Sequence, residues 1–211
     1  MNEHVLIHPP ELQQTPEALN GPQYFITTLK GKTISGLRKE GRDIRYVRHE
    51  TNTPPPQLET TPSSLSLVAV VPGFLLPDSD YKTYLEQRSY LSRSSQNIAG
   101  GCYPDIQFVI PSLPDFAELF YACLDSQGKL LIPDNEAILV RTSTQITEVG
   151  TLKPSYQKEN FTPGLFASVG STKEGGLIID DVTISGANLM VLPVAVLPYG
   201  FTSDSCFLQS S

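Results

Sequence analysis

The stretch from Gly176 to Phe201, GLIIDDVTISGANLMVLPVAVLPYGF, constrains the fold more than any other because it is the most apolar part of the chain. Ile178, Val182 and Ile184 fall at even spacing, the period that places side chains on one face of a strand. Gly186-Ala187-Asn188 interrupts the run and Leu189 to Leu197 resumes it, so the pattern predicts two strands around a turn. The second run is apolar at successive positions and needs cover on both faces, as a strand inside a sandwich or at a subunit contact has. Pro193 cannot donate to a ladder and belongs at an edge, a strand start or a bulge. A subunit edge satisfies both facts, which makes Leu189, Val191, Leu192, Val194, Val196 and Leu197 the candidate apolar contact.

The chain around this run has 211 residues, of which 39% are hydrophobic, enough for one sizeable core. Eighteen prolines and fifteen glycines are spread along it, which favours short elements separated by turns over long helices. The expected fold is mainly β: an antiparallel β-sandwich or barrel-like main domain with one or two short helices. A formal net charge of −7 argues against a nucleic-acid binder as a whole, since phosphates require a basic face. Cys102, Cys123 and Cys206 are odd in number and show no C-x-x-C spacing, so they read as reduced and packed. MNEHVLIHPP lacks the regions of a signal peptide and no apolar run reaches membrane-spanning length, so synthesis in a cytoplasm and no membrane contact are expected.

Five segments are predicted. Residues 1–22 carry Pro9, Pro10, Pro16 and Pro22 without a sustained apolar period and read as an extended arm. Residues 23–50 read as a basic β-hairpin region, with Tyr24 to Leu29 turning at Lys30-Gly31-Lys32 and returning at Thr33 to Ser35, followed by a third strand around Ile44 and Tyr46. This region holds Lys30, Lys32, Arg38, Lys39, Arg42, Arg45 and Arg48 against Glu40 and Asp43. From Lys30 to Arg48 the charge is about +5, leaving about −12 to the rest, and the segment reads either as a contact for an acidic partner or nucleic acid, or as a solvated face balanced by neighbouring carboxylates. Residues 51–64, TNTPPPQLETTPSS, read as a stiff polyproline spacer.

The main domain is expected over 65–201 and a polar tail over 202–211. Inside the domain a strand is predicted from Leu65, a helix over Ser79 to Ser94, and a short strand over Ile106 to Ile110. Ser112 to Ile132 fits two patterns. Phe116, Leu119, Phe120 and Cys123 suit a helix with Pro114 in its first turn, whereas Leu119 to Leu124, Asp125 to Gly128 and Lys129 to Ile132 suit a hairpin. The reading favoured is a helical turn over Pro114 to Glu118 and then the hairpin. Ala137 to Glu148 alternates regularly and predicts a strand; Leu165 to Val169 and Leu177 to Ile184 predict a pair.

No residue cluster fixes a reaction. His4, His8 and His49 all precede the main domain, and His8-Pro9 opposes a helix that would aim two rings at one ion. Gly31-Lys32-Thr33 resembles the end of a phosphate-binding loop, but Ile26 stands where the first glycine belongs and the β-rich surroundings predict no helix after it. Phe166-Ala167-Ser168-Val169-Gly170 lacks the first glycine of a nucleophile elbow. The acid pairs Asp78/Asp80, Asp134/Glu136 and Asp180/Asp181 are the alternative, as a carboxylate-based hydrolase; exposed Tyr103 and Tyr156 suit a carbohydrate-binding or adhesin module. No catalytic residue, metal or cofactor is assigned.

A β-rich domain, a proline-bearing arm, a basic hairpin on a spacer and no catalytic cluster resemble, in general architecture, the structural subunits of tailed-bacteriophage particles. The resemblance implies a non-enzymatic subunit of a symmetric assembly, as capsid decoration or cement or as a neck or tail protein. It implies a homo-oligomer located in the virion, holding other virion proteins through its arm and β-domain, with nucleic acid touched only through the basic hairpin.

Overall fold

The computed structural model describes residues 24–46, 56–73, 75–99, 107–133, 138–146, 165–180 and 189–198. The arm, the tail, His4, His8, His49, Arg48, Cys102, Cys206, Tyr103, Tyr156, Asp134, Glu136 and Asp181 lie outside these residues. Among them the chain forms β1 (Tyr24–Lys30), α1 (Ile34–Lys39), β2 (Ile44–Tyr46), α2 (Pro56–Thr60), β3 (Leu65–Pro72), α3 (Tyr84–Ile98) and α4 (Leu113–Gln127). The strands β4 (Leu139–Ile146), β5 (Leu165–Ser171), β6 (Leu177–Asp180), β7 (Leu189–Met190) and β8 (Ala195–Pro198) follow.

Two sheets result. One has the order β1-β3-β8 and is antiparallel throughout; the other, β2-β6-β5-β4-β7, is mixed, with β2 parallel to β6 and β7 parallel to β4. The sheet-rich part of the expectation holds, but helix takes as large a share as strand and the described strands close no barrel. β1 pairs with β3 across the proline-rich segment, from Tyr24 opposite Pro72 to Lys30 opposite Leu65. Residues before and after that segment therefore share one sheet.

The largest correction concerns Leu113 to Gln127, which is one helix and not a turn followed by a hairpin. Ser112 caps it, accepting from the Asp115 amide; Pro114 sits where a missing N–H costs nothing; Gly128 ends it at φ 64°, a left-handed position that suits glycine. Phe116, Leu119, Phe120 and Cys123 lie on one stripe, yet Leu113, Ala117 and Tyr121 are buried too. A helix buried nearly all round loses the polar side that reveals its period, which is why the run Leu119 to Leu124 imitates a strand. α4 shares one core cluster with Phe25, Leu29 and Val71 of the first sheet and Val140, Val169 and Ile179 of the second.

Two further elements differ from expectation. The return strand at Thr33 to Ser35 is instead the start of α1: Thr33 accepts from the Gly36 amide, and Ile34 and Leu37, three apart, are both buried. The spacer is interrupted by the short helix α2, which opens on Pro56, buries Leu58 and packs against α1. A single buried leucine is enough to turn a polyproline signal into a packed element, because Pro56 is as compatible with a first helical turn as with an extended one. The helix expected over Ser79 to Ser94 is α3, begun later by the capping box Thr83/Glu86. Ile106 to Ile110 contributes one isolated bridge, Val109 to Val194. The strand read over Ala137 to Glu148 is β4.

The apolar run does need cover on both faces, and its own chain supplies it. Leu192 and Val194 enter the cluster built on α4, with Val196 packed against it. Val191 and Ala195 join Leu76, Leu91, Ile98, Phe108 and Ile110 in a second cluster beneath α3, with Leu197 packed against that one. Leu189, Val191, Leu192 and Val194 are thus core residues and not an exposed subunit contact. Pro193 sits between β7 and β8, at the crossing from one sheet to the other, where no ladder asks for its N–H.

Candidate functional site

The basic segment is folded onto carboxylates of the same chain. Lys32 Nζ meets Glu40 at 2.6 Å, and Arg38 reaches Glu59 of α2 at 2.9 Å while donating twice to the Ile44 carbonyl. Arg38 also lies over the Tyr46 ring. Arg42 pairs with Asp125 at the end of α4 and lies over Tyr121; Arg45 holds Asp43 through two hydrogen bonds of 2.9 and 2.6 Å. Lys30 and Lys39 make no ion pair among the described residues. Of the readings drawn from the sequence, the face balanced by neighbouring carboxylates fits this arrangement, although it is a strand, a helix and a strand and not a hairpin.

Asp43 ties this segment to the second sheet. Its carbonyl accepts from Tyr121 Oη at 2.7 Å and from the Leu177 amide at 2.8 Å. Gly176 is required by the same approach, since a Cβ there would lie 2.6 Å from Asp43 Oδ2. Burial, and then the Asp43 charge, push the Tyr121 hydroxyl up to about 12. Burial likewise raises Tyr46, with Glu59 adding to it. These phenols stay protonated at neutral pH and serve as donors and packing surfaces.

Gly31-Lys32-Thr33 does stand between a strand and a helix, contrary to expectation, but the amides there already hold an anion. Glu118 of α4 accepts from the Lys30 amide at 2.8 Å and the Lys32 amide at 3.2 Å, and its other contact is the Ser63 hydroxyl. One helical turn earlier, Asp115 accepts from the Ser64 amide and the Ser112 hydroxyl, each at 2.6 Å. Both carboxylates are buried, and Asp115 lies in the first turn of α4, where the helix dipole favours a negative charge. They clamp the turn after β1 to the segment leading into β3. The Lys30 and Lys32 amides are thereby taken up by the chain's own carboxylate.

Of the remaining acidic candidates only Asp78, Asp80 and Asp180 lie among the described residues. Asp78 has φ 54° and its carbonyl accepts from Lys82 Nζ; Asp180 is nearly buried at the end of β6. Among the described residues no three His, Cys, Asp or Glu side chains gather as metal ligands. Cys123 is a buried free thiol, raised above its ordinary value by burial. No described helix is long and apolar enough to cross a membrane.

Two features escaped the sequence reading. The first is the outward side of α3. Leu85 is 69% exposed and Tyr81, in the segment entering the helix, 64%. Leu85, Arg88, Ser89, Ser92 and Arg93 line a shallow hollow along that side. Tyr81 has φ 52°, a left-handed conformation seldom adopted by an aromatic residue. The signal was present: with Gln87, Leu91, Ser95 and Ile98 as the buried stripe, Leu85 necessarily faces water. The second is Arg141, buried on β4 where alternation predicts a polar, solvated position.

No protein-family model, no curated protein and no solved structure matches this chain.

Proposed function

We propose that the chain is a non-enzymatic structural subunit that packs against copies of itself and against other proteins in a symmetric assembly, as the decoration, neck or tail proteins of tailed-phage particles do. The observation that carries the reading is the outward side of α3, with Leu85 held in water beside Arg88 and Arg93 and Tyr81 exposed in the segment that enters the helix. Scattered exposed apolar residues are normal, but an aliphatic and an aromatic side chain leading an arginine-bearing stripe have the composition of a contact centre. On a chain with net charge −7, that stripe is attracted to the acidic remainder of a second copy.

The test is the mass of the purified full chain across concentration, by light scattering or native mass spectrometry. A discrete oligomer is expected for the natural sequence, dissociating in Leu85→Asp. A monomer at every concentration that also fails to join any particle overturns the proposal.

A further inference from the structure

α3 and the segment that enters it carry their charges in two blocks. Residues 78–86 hold Asp78, Asp80 and Glu86 with Lys82, whereas residues 87–98 hold Arg88 and Arg93 and no acid. Lys82 is turned back onto its own segment, its Nζ donating to the Asp78 carbonyl and lying 5.3 Å from the centre of the Tyr90 ring. Lys82, Arg88 and Arg93 form no ion pair among the described residues, in contrast to Lys32, Arg38, Arg42 and Arg45. The exposed ridge between the blocks is Leu85, Ser89, Ser92 and Gln96, one helical turn apart from each to the next. Glu86 and Arg93, two turns apart and both exposed, flank that ridge on one side; Arg88 flanks it on the other. Arg93 Nε donates to the Ser89 carbonyl at 3.3 Å, which lays its side chain back toward the middle of the helix. Both capping hydrogen bonds to Glu86 fall on Oε2.

We infer, resting on the self-association proposed above, that the outward side of α3 meets α3 of a second copy, packed antiparallel about a two-fold axis between the levels of Ser89 and Tyr90. A closed two-fold contact joins a patch to its own copy, so the patch must complement itself. A helix that enters acidic and leaves basic meets that condition only in the antiparallel orientation, which sets acidic block on basic block twice; parallel pairing sets like on like. The same orientation puts the positive end of each helix dipole beside the negative end of the other. In this register Glu86 of one copy stands level with Arg93 of the second copy, and the reverse, giving two carboxylate–guanidinium pairs from one placement. Leu85 comes level with the Ser92–Arg93 end of the hollow in the second copy. The small side chains of Ser89 and Ser92 let the two axes approach to about 8 Å, the short end of helix packing, so that Leu85 is covered.

Full chains carrying Glu86→Arg or Arg93→Glu, one of them isotopically labelled, test the pairing alone and mixed, by native mass spectrometry and sedimentation velocity, with thermal unfolding to verify that each variant folds. Alone, each variant sets like charges at both pairs and is expected to raise its dissociation constant about tenfold or more. Mixed, the two restore both pairs, so mixed oligomers are expected to dominate and to bind at least about tenfold more tightly than either variant alone. A second measurement reads the orientation. Oxidation is expected to join two copies through Ser89→Cys, beside the axis, but not through Gln96→Cys, which the antiparallel register separates from its counterpart by about 20 Å along the helices. A natural chain that is monomeric at every concentration overturns this pairing together with the proposed function. A natural oligomer whose two variants gain nothing on mixing, or in which Gln96→Cys links copies as readily as Ser89→Cys, overturns the antiparallel α3 pairing and leaves self-association standing.

Discussion

α3 and α4 are both fifteen residues long and both begin on a hydroxyl cap, yet one lies on the surface and the other is enclosed. α4 buries Leu113, Phe116, Leu119 and Phe120 between contributions from both sheets and uses its first turns to clamp two other segments through Asp115 and Glu118. α3 buries a narrow stripe of Gln87, Leu91, Ser95 and Ile98 and leaves Leu85 outward. Even inside its stripe it is half polar: Gln87 donates to the carbonyls of Ser79 and Leu189, and Ser95 accepts from the Phe108 amide. α4 therefore specifies the fold, while α3 is pinned to it by polar contacts and keeps a face for something else.

The contrast is broken most directly inside α4. Phe120→Ala, at a fully buried position, should cost about 3 to 5 kcal/mol of unfolding free energy in urea, against a typical domain stability of about 5 to 15. A loss below about 1 kcal/mol would mean that α4 is as peripheral as α3. Next in size is the clamp. Glu118→Ala removes the acceptor for two amides and a hydroxyl, and hydrogen bonds to a charged group contribute about 1.5 to 3 kcal/mol. It should lower stability by about 2 to 3 kcal/mol and speed hydrogen exchange at the Lys30 and Lys32 amides before that of the β4 ladder. Unchanged exchange at those amides would show that the turn is held by the sheet alone.

Legibility followed the same division. β4 was readable because one face is packed and alternation survives, and the two-sided cover of Leu189 to Leu197 was readable because polarity is missing from both faces. What sequence could not assign was who supplies the cover, since a subunit and the chain's own α3 and α4 leave the same pattern. α4 was misread because full burial erases its period, and α1 because Thr33 and Ile34 are β-formers by composition but a cap and a buried face by position. The Thr83-x-x-Glu86 signature was legible and marks the true start of α3 more closely than Ser79 does. Arg141 was hidden by the rule that charged residues on an alternating strand face water.

The capping box gives a smaller effect with a pH signature. Thr83→Ala should cost about 1 kcal/mol, the usual magnitude for a lost hydroxyl cap. The Thr83 amide, and then its hydroxyl, hold the Glu86 carboxyl below its ordinary value. A carboxyl lowered by folding adds stability that is fully present above its unfolded pKa of about 4.3 and is lost as pH falls through the folded value. The difference in stability between the natural protein and Glu86→Gln should therefore shrink on acidification below about pH 4. A difference constant from pH 7 to 3 would mean that the box contributes only through the hydroxyl.

The smallest effect on folding belongs to the residue given the largest role in association. Leu85 is mostly in water and its side chain belongs to neither core cluster, so Leu85→Ala should change unfolding free energy by no more than about 0.5 kcal/mol. If the outward side of α3 is a contact centre, the same substitution should raise the oligomer dissociation constant tenfold or more, since truncation of a central apolar residue costs upwards of about 1.4 kcal/mol. Arg88→Glu should weaken association at low salt and less so at high salt, as screening shortens to about 8 Å at physiological ionic strength. A substitution at Leu85 that leaves both folding and association untouched would reduce the outward side of α3 to an ordinary solvated helix face, and the difference between the two helices to one of burial alone.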